Sequence, residues 1–258
     1  MSISSPDKAY RIAVVLIGHS RFLGDDINRV QYPLHLAFID FFAKISIIVD
    51  YYVLSWENVD YNTNIKTSIQ FEHLWPNKSY YCLYSENALD FDRNNKTLKL
   101  CWLAKQAAEQ IKIVQNTQQF QYDYIIESRL DQFITSKDTP IFYELKNDEI
   151  IADIQKDQTP MPLPHLYKRK NWNPKLDPIK TFVLSGWYFR MNPTTYFKFS
   201  NRFDFFIKNQ NLGYNYHQDL GYYFLENNKF IFYTQHDFQI LSPFKQDWIK
   251  LEVQKTNT

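Results

Sequence analysis

Apolar positions in the first half of the chain come in short unbroken runs, and helical spacing fills much of the sequence between them. Residues 11-RIAVVLIG-18 form one run, closed by Gly18, and predict a strand in the middle of a sheet with both faces covered. The turn 18-GHSRFLGDD-26 follows. From about Asn28 to Val49 the period is helical, with Pro33 a first-turn or kinking residue and the β-branched 45-ISIIV-49 blurring the helix end. The runs 51-YYVLSW-56 and 80-YYCLY-84 read as strands, while 65-IKTSIQFEHLW-75 between them fits either pattern.

The clearest helix runs from Thr97 to Thr117. Leu100, Ala104, Ala107, Ile111 and Val114 make one stripe on it, and Lys105, Glu109, Lys112 and Gln115 take the other side. Asn95 or Thr97 is placed to cap its start. The strand 122-YDYIIES-128 comes directly afterwards. Strands of this kind alternating with helices predict an α/β fold with a Rossmann-like, mostly parallel central sheet flanked by helices on both faces. Ligands bind such sheets beyond the carboxyl ends of the strands, where Gly18 to Arg21, Trp56, and Glu127 to Asp131 fall.

The second half is less regular. Four acids punctuate 144-ELKNDEIIAD-153, and 159-TPMPLPHLYKRKNWNPKLDP-178 holds five prolines and four basic residues. No regular element fits the latter stretch, which reads as a cover over the site or as a solvent-exposed insertion. A strand resumes at 181-TFVLSGWYF-189, helices are expected at about 194–209 and 217–227, and 229-KFIFYT-234 is a last strand. The tail 241–258 is amphipathic and mildly basic. Phe244, Trp248 and Leu251 are suited to pack on the body, and contact with an anionic membrane surface is the alternative.

Composition narrows the picture. A chain of 258 residues without a polar or low-complexity divider is expected to be a single domain. With 29 Lys+Arg against 28 Asp+Glu and no long block of like charge, nucleic acid is not an expected partner. Cys82 and Cys101 are too few for a disulfide scaffold and read as buried thiols of a reducing compartment. The apolar run before Gly18 is too short for a secretion signal and no spanning segment follows, so a cytoplasmic protein is expected, at the inner face of a membrane if the tail touches one. Most of the 19 Tyr, 21 Phe and 6 Trp must serve the core, but so many tyrosines also suggest a cleft where rings with polar tips meet a hydroxyl-rich ligand. Trp56, Trp172 and Trp187 are candidates to offer flat faces to such a ligand, with core packing the competing role for each.

The densest chemistry lies in 122-YDYIIESRLDQF-133. Period two puts Glu127, Arg129 and Asp131 on one side of the strand as it leaves the sheet. Carboxylates there supply hard oxygen ligands for Mg²⁺ or Mn²⁺, and Arg129 is suited to a phosphate. From spacing alone, a structural ion pair at a strand end explains the pattern equally well. Other nucleotide and hydrolase motifs are missing: the sequence contains no G-x-G-x-x-G, no G-x-x-x-x-G-K-[ST], no G-x-S-x-G and no H-E-x-x-H.

The stretch from Ala104 through Phe133 resembles the helix and following strand of a loosely defined group of bacterial and viral sugar transferases of the GT-A fold. In that group a "YDYVIRTRxD" segment stands where other nucleotide-sugar enzymes carry Asp-x-Asp. Further, 12-IAVVLIGHSR-21 resembles the group's first strand and Gly-His-x-Arg turn, and 50-DYYVLSW-56 its "DVFIHTW" strand. The segments 185-SGWYFRM-191 and 217-HQDLGYYFLENNKFIF-232 resemble its "DxFFFG" and "PExLLGYYLxxNNIKV".

The resemblance implies a GT-A-like sheet with a nucleotide-binding half at about 10–133, an acceptor side at 134–240 and a tail at 241–258. It implies transfer of a sugar from a nucleoside diphosphate sugar to a hydroxyl of a glycan or glycolipid acceptor, as in surface polysaccharide or lipopolysaccharide biosynthesis. Asp131 would be the metal or diphosphate ligand, with Arg129 and Glu127 at the donor, and Gly18, His19 and Arg21 near the nucleotide. Asp219 would serve as base, His236 would complete a Mn²⁺ or Mg²⁺ site, and Trp187, Trp172 and His217 would lie on the acceptor side. Two departures stand out: Glu127 replaces the group's Arg or Lys, and Ser185 and Gly186 stand near the missing "DxFFFG" acid. A carbohydrate-binding protein that kept the fold without catalysis is the competing expectation. The residues say nothing of oligomeric state.

Overall fold

A run of aliphatic residues with no polar interruption is stable as a strand only where both of its faces are covered. Tyr10–Ile17 (β1) meets that condition, being buried from Ile12 onward. The computed structural model describes residues 10–18, 47–56, 80–129, 132–134, 145–154, 184–209, 219, 220, 223, 231–234 and 238–240. After β1 come Ile47–Trp56 (β2), Tyr80–Tyr84 (β3), the helix Lys96–Gln118 (α1), Tyr124–Arg129 (β4), Gln132–Ile134 (β5) and Glu149–Ile154 (β6). Leu184–Met191 (β7), the helices Pro193–Ser200 (α2) and Arg202–Lys208 (α3), Ile231–Thr234 (β8) and Phe238–Ile240 (β9) follow. Asp219, Leu220 and Tyr223 are also helical, within the span expected for a helix at 217–227.

Seven strands make one sheet in the order β3-β2-β1-β4-β7-β6-β8, and β5 pairs with β9 in a separate two-stranded ladder. Strands β1 to β4 are parallel, β7 runs against both of its neighbours, and β6 and β8 return to the common direction. This is a mixed, mostly parallel, Rossmann-like α/β sheet with helices packed on it. The doubly wound order holds through β4 and departs from it beyond that strand.

Sheet residues Ala13, Val15, Ile17, Tyr52, Leu54, Trp56, Ile125, Ile150, Phe189 and Met191 share one buried cluster with α1, α2 and α3. Each large side chain in such a core contributes roughly 1.5–3 kcal/mol of transfer free energy. Ile12, Val14, Leu16, Tyr51, Val53, Tyr124 and Ile126, of the opposite face, are buried as well. The helix expected there lies outside the described residues up to position 46. Its predicted end is corrected, because 47–49 begin β2 and the β-branched residues that blurred the helix favour a strand.

Asn95 caps α1 by accepting a hydrogen bond from the Leu98 amide at 3.0 Å, and Gln119 ends it in the left-handed region at φ 53°. Ala104, Ala107 and Ala108 let the helix lie close to the sheet, and the buried face is centred on Cys101, Ala104, Ala108 and Ile111. Gln115, expected to face outward, is therefore buried, whereas Leu100 and Val114 are only partly covered.

The single helix expected at 194–209 is broken. Asn192 caps α2 and Pro193 takes its first turn, but at Asn201 the amide is shared between the Lys198 and Phe199 carbonyls before α3 starts. The Ser200 hydroxyl donates to the Phe197 carbonyl at 2.9 Å, a local bond that competes with helix continuation. Strand β6 was not predicted, because its acids hid the apolar alternation around buried Ile150.

A polar clamp fixes the amino ends of the sheet. The Arg11 guanidinium donates to Asp50 from Nε at 3.0 Å and lies 3.4 Å over the Phe120 ring. The Tyr122 hydroxyl donates to Asp50 at 2.7 Å and shares a 2.9 Å hydrogen bond with the Tyr52 hydroxyl. The Arg11 amide donates to the Asp123 carboxylate at 2.9 Å and the Asp123 amide to the Arg11 carbonyl at 2.8 Å, so the start of β4 is tied to β1.

Candidate functional site

At the other end of the sheet β1 and β4 finish level and β2 runs two residues further, to Trp56. Ile17 is in register with Leu54 on one side and Arg129 on the other, so the exits of β1, β2 and β4 share one edge. Gly18 leaves β1 at φ 119°, a conformation that side chains rarely adopt. Its carbonyl accepts a hydrogen bond from the buried Ser55 hydroxyl at 2.8 Å, which holds the turn against β2. Arg129 stands beside that turn, half-buried at the end of β4. The β5–β9 ladder begins at Gln132, the residue after Asp131, and pairs Ile134 with Phe238.

Glu127 lies two positions before Arg129 on the same strand face, but inside the core. Arg202, the first residue of α3, donates to its Oε1 from Nη2, with side-chain exposures of 0% and 2% for the arginine and the glutamate. The guanidinium also donates to the Phe199 carbonyl at 3.3 Å and lies 3.9 Å over the Phe199 ring. Glu127 Oε2 is buried without a hydrogen-bond partner. Burial pushes the Glu127 carboxyl above its ordinary range, and the adjacent guanidinium acts in the opposite direction.

Three more polar residues and a thiol gather at this pair. The Thr97 hydroxyl donates to Asp219 Oδ2 at 2.5 Å, and both residues are buried. Cys101, one helical turn after Thr97, feels the charges of Arg202, Glu127 and Asp219, and burial pushes its thiol up to about 12. Burial likewise pushes Tyr223 up to about 12, with Arg202 lowering it. The acid expected to act as base is thus held in a buried hydrogen bond, and the glutamate expected at the diphosphate has one oxygen committed to Arg202.

An aromatic group covers the adjoining strand ends. Trp56 is fully buried, with Trp102 stacked on it at 5.4 Å and Tyr84 edge-on at 6.4 Å, so its ring faces pack within the protein. Trp102 and Tyr84 are the partly exposed members. Lys99 lies 5.7 Å over the Trp56 ring and pairs with Glu86.

Of the sequence-predicted site residues, the structure brings Gly18 and Arg129 to one edge and places Glu127 and Asp219 in the buried polar cluster beneath it. Trp187 is a residue of β7. His19, Arg21, Asp131, Trp172, His217 and His236 lie outside the described residues. Sequence reasoning missed Arg202, although an arginine inside 199-FSNRFDFF-206 is a cation among aromatics that burial obliges to find a partner. Among the described residues no group of three His, Cys, Asp or Glu is placed to hold a metal ion, and no helix is long and apolar enough to cross a membrane. No protein-family model matches the chain, and no curated protein matches it.

Proposed function

We propose that the chain is a glycosyltransferase of the GT-A kind, moving a sugar from a nucleoside diphosphate sugar to a hydroxyl of a glycan acceptor. The observation that carries this reading is the shared edge at which β1 exits through the left-handed Gly18 and β4 delivers Arg129. Gly18 turns the chain at that edge without a side chain of its own, and a guanidinium beside it would pair with diphosphate oxygens in a planar, bidentate way.

The chemistry that follows is stabilisation of a departing nucleoside diphosphate. Arg129 offsets charge as it develops there. A Mn²⁺ or Mg²⁺ ion, when bound, supplies further positive charge. By the resemblance, Asp131 with a carboxylate oxygen and His236 with an imidazole nitrogen are the residues that would hold it. Asp219 is carried over from the resemblance as the acceptor of the proton from the glycan hydroxyl, a role that requires its buried bond to Thr97 to open when the acceptor binds.

A thermal-shift screen tests the reading, using UDP-, GDP-, CMP- and dTDP-sugars with and without Mn²⁺ or Mg²⁺ on the wild type and on Asp131→Ala. A ligand that binds only the folded state raises its apparent stability. The expected result is a rise with one nucleotide that depends on the ion and disappears in Asp131→Ala. No shift with any donor, in folded protein, would sink the reading and leave glycan binding without catalysis as the alternative.

A further inference from the structure

We infer that the buried pair Glu127–Arg202 is a positioning element: held from the far half of the chain, it fixes the direction in which β4 presents Arg129 and thereby tunes affinity for a donor diphosphate. The diphosphate part rests on the function proposed above.

Three observations carry it. The β4–β7 ladder runs from Ile125 to Ser128 and stops there, while the β1 ladder continues to Arg129. Arg129 thus stands one position beyond the residues of β4 in register with β7, where the course of the strand is open to influence from an anchor on the preceding residues. Glu127 is the anchor two residues earlier, and Arg202 grips it from 75 positions away while its own guanidinium is seated on Phe199.

The second observation is that the pair is a poor device for stability. Desolvating two charges offsets most of their attraction unless every lone pair is satisfied, and Glu127 Oε2 has no partner. An apolar pair of similar volume would hold the core as well, so the presence of ions here points to specification of geometry. Third, the Thr97–Asp219 bond forms a second buried crosslink, across 122 positions, beside the first. The two fasten α1 and β4 to the later helices directly beneath the edge that carries Arg129.

The test is the double replacement Glu127→Leu with Arg202→Met, compared with wild type in two measurements. Ligand-free hydrogen exchange is followed on peptides covering residues 124–134 and, as reference, β1 and β2. Affinity is then measured for UDP, GDP and dTDP with Mn²⁺. The expected result is a melting midpoint within a few degrees of wild type, about tenfold faster exchange confined to the end of β4, and about tenfold weaker binding of the preferred nucleotide. Wild-type exchange at the end of β4 would overturn the inference. So would a double variant that cannot fold, because the pair would then be a requirement of stability. Faster exchange with unchanged affinity would overturn the link to the diphosphate. If wild type binds none of the nucleotides, the proposed function and that link fail together, and the exchange comparison alone decides whether the pair positions β4.

Discussion

Single residues in this protein differ most in how their charge is compensated. Arg202 is fully buried and faces Glu127, so removing either one strands the other in a medium that solvates it badly. Arg202→Met alone should lower unfolding free energy by about 3–5 kcal/mol, read from urea denaturation, a penalty that the paired apolar replacement escapes. The two thiols give a second residue-scale contrast. Cys101 is inaccessible and its thiol stays protonated far above neutrality, while Cys82 is only partly covered. At pH 8 a maleimide should label Cys82 in the folded protein and reach Cys101 only after unfolding, which mass spectrometry of labelled peptides will show. Equal labelling rates would contradict the packing around α1.

Elements are held by their ends as much as by their faces. Asn95 satisfies the Leu98 amide at the start of α1, and Asn192 does the same for Thr195 at the start of α2. Asn95→Ala should destabilise the protein by about 1 kcal/mol in chemical denaturation, with no loss of the fold. Much of this was legible in the sequence: β1, β3, β4 and α1 followed from unbroken apolar runs or a regular stripe, and Asn95 was one of two caps expected. Strand β6 was not, because its alternation is interrupted by acids, nor were β5 and β9, whose three residues each carry too little pattern. The break at Asn201 escaped because serine and asparagine in a helical period signal a stop only through the particular bonds they make. At the site, Gly18 and Arg129 were readable from period and turn chemistry. The role of Glu127 depended on Arg202, and two residues 75 positions apart have no local signature that links them.

The whole molecule concentrates titratable groups in its core that ionise only at alkaline pH. Burial raises Tyr52, Tyr223 and Cys101 to about 12, from ordinary values of 10.0 for the phenols and 9.0 for the thiol. The unfolded chain releases these protons first. Their contribution to stability is therefore complete below the ordinary values and is lost as pH climbs through about 12. Urea midpoints measured from pH 8 upward should hold steady to about pH 9 and then fall, and Tyr52→Phe should flatten part of that fall. A profile flat to pH 12 would refute the burial of these groups.

The reversal of β7 has a consequence for how such a protein is able to diverge. β1, β2 and β4 finish at the edge carrying Gly18 and Arg129, and β7, running the other way, begins there. Tyr188 is in register with Ser128, so β7 begins beside the end of β4. Two distant stretches of gene thus encode adjoining parts of one sheet edge. Substitutions at 184–187 fall on the β7 part of that edge and leave the pairing of β1, β2 and β4, and the charges anchored beneath them, as they are.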